Sequence, residues 1–284
     1  MSVRLIKTFF HREFEVKVAE LGPGSYKAVG YKDKTLIAEF AGSTIEDVES
    51  SIKERLNKCS TSFVSMDEAK KLFLRAFPGG FRDPSYLRQE RDYKENAAQF
   101  VATQLTENVL SRALENGQFS EVCKSARQAY AKTNLLSPFE SARVTECHRK
   151  NSNREPFARA LYTLLYGDDF AQAIVDMVNV LKPNDAAKWP IVTYFPYLRY
   201  PGEHMFLKPE VTKRCADRLG FDLHYDPQPN FVTYSSLLKF AAFVKQGISD
   251  LHPRDYIDVQ SMIWVIGNEN YVEEAESARS RLSD

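Results

Sequence analysis

The sequence predicts an α+β protein in which a small β-rich N-terminal part (β-β-β-α) precedes a larger, mainly α-helical domain. Two patterns carry that expectation. Between residues 13 and 40 apolar and polar residues alternate with the period of two that marks half-buried strands. From Met66 onward apolar residues recur at helical spacing instead, punctuated by Pro and Gly. The composition agrees, with 43% hydrophobic and 12% aromatic residues, which suits a packed core and not a disordered chain.

The elements follow in chain order. Phe14, Val16 and Val18 alternate with Glu13, Glu15 and Lys17, giving a first strand that ends at the turn LGPGS. Tyr26 to Tyr31 and Leu36 to Phe40 form a hairpin around KDKT. Ser43 and Glu46 have capping-box spacing, and Ile45, Val48, Ile52 and Leu56 line one face of the helix behind them. The polar stretch KCSTS reads as a linker, so the expected domains are 1–62 and 63–284. Helices are then expected over 67–77, 93–114, 119–132, 138–149, 156–166, 169–181, 211–219, 233–244 and 253–265, with a polar tail fraying beyond Glu273. Residues 182–209 carry aromatics and prolines without a clean period and read as a long loop.

Several function classes recede at this point. Lys+Arg and Asp+Glu are both 38, so no global charge draws the chain to nucleic acid or to an anionic membrane, and such a partner has to be met by a local basic patch. The four cysteines are far apart, without CxxC pairs, and read as reduced structural thiols. The five histidines show neither HxxxH nor HExxH spacing, so no metal and no cofactor are expected. P-loop, GxGxxG, GxSxG and kinase signatures are missing as well. No stretch reaches the length of a membrane span and the N-terminus lacks the apolar run of a signal peptide, so a cytoplasmic location is expected.

Three segments are candidates for chemistry. In 77–94, Arg82, Arg88, Arg91 and Lys94, with Arg75 just before, surround a glycine turn of the kind that contacts phosphate. Asp83, Glu90 and Asp92 offset those cations, so a helix-to-helix turn with solvated charges is the competing reading. In 188–214, Trp189, Tyr194, Tyr197, Tyr200 and His204 could stack a flipped base, while Lys188, Arg199, Lys213 and Arg214 supply phosphate contacts. The same aromatics would equally serve as core packing between helices. In 252–265, Asp255 and Asp258 lie three apart on one helix side; a first-turn position explains Asp255, whereas the apolar neighbours of Asp258 and Gln260 imply burial.

The second and third segments resemble the C-terminal half of helix-hairpin-helix DNA glycosylases, especially the bacterial 3-methyladenine glycosylase II type. Trp189, Thr193, Tyr194 and Phe195 resemble the segment after the hairpin in that family; Met205, Phe206 and Leu207 resemble its apolar run; Pro253, Arg254 and Trp264 resemble its closing helix. The likeness covers residues 189–264. Lys182-Pro183-Asn184-Asp185-Ala186 stands where the family has its glycine-rich hairpin, and Glu210 is the carboxylate nearest to the position of the family's catalytic aspartate, with Lys208 just before it. The resemblance implies a DNA N-glycosylase-like protein, a hydrolase of DNA repair or phage defence that flips a damaged or modified base. Catalysis would then fall to Glu210, Lys208 or Asp258, with DNA as the partner. Two alternatives stay open: a nucleic-acid-binding protein without catalysis, and a protein-interaction scaffold.

Overall fold

The computed structural model describes residues 3–60, 62–268 and 270–280. Thr61 of the expected linker and residues 281–284 of the expected frayed tail lie outside the described residues. The chain forms two compact units, one of Met1–Ser65 with Asp217–Phe221, the other of Met66–Ala216 with Asp222–Asp284.

The first unit is an antiparallel four-stranded sheet in the order β1-β2-β3-β4, made of β1 (Arg4–His11), β2 (Phe14–Gly22), β3 (Ser25–Lys32) and β4 (Thr35–Gly42), followed by helix α1 (Ile45–Cys59). It has one strand more than the β-β-β-α pattern expected. β1 escaped notice because a register shift between Leu5 and Lys7 breaks its alternation, and as an edge strand it leaves Leu5 and Phe10 exposed. Pairings Phe9↔Val16 and Ala28↔Phe40 set one sheet face, on which Phe14, Val16, Val18 and Ala28 meet Val48, Ile52 and Leu56 of α1. Gly30 sits under that helix: a Cβ there would come within 2.6 Å of the Leu56 side chain. The N-cap is Thr44, whose hydroxyl accepts from the Asp47 N–H at 3.1 Å, one residue later than the expected Ser43 box. Ser60 of the expected linker donates to Glu13, and Asn57 donates to the Gly220 carbonyl at 2.7 Å, which ties 217–221 into this unit.

The second unit is helical: α2 (Met66–Ala76), α3 (Pro84–Tyr86), α4 (Asp92–Gln104), α5 (Glu107–Glu115), α6 (Phe119–Tyr130), α7 (Pro138–Arg149), α8 (Asn151–Tyr166), α9 (Phe170–Leu181), α10 (Trp189–Arg199), α11 (Pro209–Arg218, its end counted with the first unit), α12 (Phe231–Gly247), α13 (Tyr256–Gly267) and α14 (Tyr271–Ser280). Among the described residues, no helix is long and apolar enough to cross a membrane. The single helix expected over 93–114 is two, because Thr106 caps α5 by accepting from Val109 N–H after α4 ends at Leu105. The tail beyond Glu273 is helical through Ser280 and tied by a two-pronged Arg75–Glu276 pair, not frayed.

The largest departure is α10. Its first ten residues, Trp189 to Leu198, are all buried, so no polar face exists to give a helical period and the sequence reads as a loop. Pro190 fits its first turn. α7 is the opposite case, with a complete capping box in which Ser137 Oγ accepts from Glu140 N–H while Glu140 accepts from Ser137 N–H. Ser137→Ala should therefore lower stability by about 1 kcal/mol, read as a shift in the urea midpoint at unchanged slope.

Candidate functional site

The site is built on the segment between α3 and α4. Leu87–Arg91 forms one π-helical turn, wider than an α-turn. Tyr86, Glu90 and Lys94 would share a face of any helix; the extra residue in this turn brings Arg91 inward beside them. All four are buried, at 0%, 7%, 0% and 4% exposure for Tyr86, Glu90, Lys94 and Arg91. The solvated-charge reading of this segment is therefore corrected for Glu90, Arg91 and Lys94, while Arg82 and Arg88 are exposed as that reading has it.

Two linked polar clusters result. In the first, Arg91 donates to Asp255 at 2.8 and 2.9 Å and to Asp258 at 2.8 Å. Asp258 also accepts from Tyr86 Oη at 2.6 Å and from Arg254, through both its backbone N–H at 2.8 Å and its guanidinium. Burial pushes the Asp258 carboxyl up, but the Arg254 and Tyr86 hydrogen bonds and the Arg91 charge outweigh it and hold the group below the usual carboxylate range. Asp255 serves a second role as N-cap of α13, accepting from Ile257 N–H at 2.9 Å.

In the second cluster Lys94 Nζ donates to Glu90 at 3.0 Å, to Gln260 Oε1 at 2.7 Å and to Ser261 Oγ at 3.1 Å. Tyr271 Oη donates to the other Glu90 oxygen at 2.5 Å. Burial drives the Lys94 ammonium pKa down, opposed by the Glu90 charge. Ser261 lies 3.5 Å from Tyr86 Oη, so one polar network runs from Arg254 to Tyr271.

Over this second cluster lies a cavity of about 90 Å³. Its rings are Tyr93, Phe206 and Trp264, and its polar groups are Glu90, Lys94, Gln260, Asn134 and Lys208. Lys208 is held there by Glu140 at 3.0 Å and by the Leu135 carbonyl at 3.3 Å.

Of the residues proposed from sequence, Lys208 lines this cavity, and Asp258 lies behind it, linked through Tyr86 and Ser261 to Lys94. Glu210 does not line it; its side chain is 77% exposed and paired with Lys213 at 2.8 Å. Trp189, Tyr194 and Tyr197 are buried core residues outside the cavity lining, Trp189 donating to the Asp226 carbonyl and Tyr194 to the Ala129 carbonyl. Tyr200 and His204 are half-buried; the His204 ring meets Tyr234 Oη at 2.9 Å, and burial lowers its pKa. Among the proposed phosphate contacts, Arg75 is engaged by Glu276 and Lys188 by Asp185. Arg199 stacks on Tyr166 and Tyr200, and Arg214 donates to the Gly267 carbonyl. Lys188 borders a groove of about 420 Å³ and Arg199 another of about 470 Å³, so these cations do not form a single patch with the cavity.

From sequence, Lys94 is placed among phosphate-contacting or solvated cations, Glu90 among the charges offsetting them, and Gln260 has no role beyond burial; none is placed in a shared site. The available signal was the Tyr86, Glu90, Lys94 stripe at i, i+4, i+8, followed far along the chain by polar Gln260 and Ser261 inside an apolar helix. No protein-family model, no curated protein and no solved structure matches this chain.

Proposed function

We propose that the helical unit takes a base of nucleic acid into this cavity, as a DNA glycosylase-like protein that excises or recognises a damaged or modified base. The observation that carries the reading is the cavity itself: three aromatic rings around a floor of hydrogen-bonding groups, with an amine, Lys208, on its wall. Rings stack on either face of a base and polar groups read its edge, which is how flipped bases are held. A cavity of 150 Å³ admits a benzene ring. At about 90 Å³ this one takes the edge of a base. The likeness of 189–264 to helix-hairpin-helix glycosylases points the same way, since Phe206, Lys208 and Trp264 all fall within it.

On this reading Lys208, and not Glu210, is the residue of the original set that meets the substrate. Its cation would offset negative charge on a departing base or on a neighbouring phosphate. Recognition without excision is the second reading, favoured by one feature: Glu90, Glu140 and Asp258 are each tied to a cation, leaving none of the three unpaired to stabilise positive charge on a sugar.

Incubation with DNAs carrying different base modifications, followed by alkali and gel analysis, separates the two. Strand breaks that fall at least tenfold in Lys208→Met support excision. Salt-sensitive binding without breaks, weakened by the same substitution, supports recognition. Neither breaks nor binding on any such DNA defeats both.

A further inference from the structure

We infer that the cavity floor selects a ligand edge presenting a hydrogen-bond acceptor beside a donor, the pattern of a cyclic amidine or lactam, and that Lys94 sets this selectivity by orienting Gln260 and Glu90. The inference rests on the base-binding reading above. It follows from the wiring of Gln260 and Glu90.

A lysine ammonium is a donor only, with three N–H groups. Lys94 Nζ has three acceptors within reach, Glu90, Gln260 and Ser261, at 3.0, 2.7 and 3.1 Å. The Gln260 atom facing it is therefore the carbonyl oxygen, and the amide nitrogen, with its two N–H groups, is on the other side of the same planar group. Gln260 is 4% exposed, and it lines the cavity. A side-chain amide that could otherwise flip is thus fixed with its donor end free for a ligand.

Glu90 is fixed in the complementary sense. One of its oxygens accepts from Lys94 and the other from Tyr271 Oη, and each carboxylate oxygen has capacity for a second donor. The floor thus offers N–H from Gln260 and a carboxylate oxygen from Glu90, side by side and both anchored to one buried ammonium. Phosphates and carboxylates have acceptors only and would confront the Glu90 charge. A ring edge with donor and acceptor adjacent satisfies both groups, whereas an edge lacking its donor leaves a buried carboxylate oxygen without a partner.

Amidine edges (cytosine, adenine) and lactam edges (thymine, guanine) share this chemistry, and paired probes distinguish them. Labelled single-stranded oligonucleotides identical except at one base are compared by fluorescence anisotropy: cytosine against 2-pyrimidinone, which lacks the amino donor, and thymine against N3-methylthymine, which lacks the ring N–H donor. In the wild-type protein at least one intact base should bind about 10- to 100-fold more tightly than its edited partner, and the pair showing the difference names the edge. Glu90→Gln, which keeps an oxygen for Lys94 but replaces an acceptor for the ligand's donor by an amide N–H, should bring that ratio close to one. Equal binding of intact and edited bases by the wild type overturns the inference while leaving base binding standing. A ratio unchanged in Glu90→Gln overturns it as well, and failure of every oligonucleotide to bind overturns both.

Discussion

Asp258→Asn should lower the stability of the protein by about 3–5 kcal/mol, one of the largest effects expected of any single substitution in this chain. The carboxylate is fully buried, and Arg91, Arg254 and Tyr86 all converge on it. An amide of the same shape can accept at only one of its two ends, so it leaves buried donors facing donors and a guanidinium without its counter-charge. The measurement is the urea midpoint near neutral pH. A linked effect follows from the depressed pKa of Asp258. An unfolded aspartate titrates near 3.9, and a folded value below that means the ionised form stabilises the native state above about pH 4 and is lost as pH falls through the folded value. The substitution should therefore cost much less at acid pH than at pH 7. An equal loss at both would show that the ionised carboxylate is not what stabilises this cluster.

His148→Phe should remove an acid sensitivity. His148 is fully buried on α7, its ring 4.1 Å from that of Phe157 and 6.5 Å from that of Tyr130, and neither ring nitrogen has a hydrogen-bond partner. Burial pushes its pKa down to about 3, helped by the charges of Arg127 and Arg154. The unfolded chain takes up a proton near pH 6.5 that the folded chain refuses until about pH 3, so protonation favours unfolding throughout that window. Stability is complete above pH 6.5 and falls by up to about 1.4 kcal/mol per unit below it, roughly 3 kcal/mol by pH 4.5. Phenylalanine fits an aromatic slot and has nothing to protonate, so the variant should lose that slope between pH 6.5 and 4.5 and gain stability at the acid end. Thermal unfolding across this range tests it; parallel curves for the two proteins would exclude His148 as the origin.

The general plan was legible from sequence because most elements expose one face and bury the other. α1 shows its apolar stripe, and α7 begins at the Ser137–Glu140 box written in the sequence. α10 failed the same reading because burial on every side erases the contrast on which periodicity depends. The site was hidden for a related reason. Charged residues are normally solvated, so Glu90, Arg91 and Lys94 read as surface until Asp255, Asp258, Gln260 and Ser261 arrive from more than 160 positions along the chain. Lys208 was reachable through its place in an apolar run, but its partner Glu140 lies 68 positions away and nothing local connects the two.

The single wide turn at Leu87–Arg91 also has a bearing on how such a site is gained or abolished. An ordinary α-helix through the same residues, at about 100° each, would carry Arg91 about 140° around from Tyr86. Tyr86, Glu90 and Lys94 would keep a common face, but Asp255 and Asp258 would lose the Arg91 guanidinium, although every one of those side chains would still be present. The buried network is thus a matter of phase along a helix as much as of chemical identity: the width of one turn decides whether the same side chains meet.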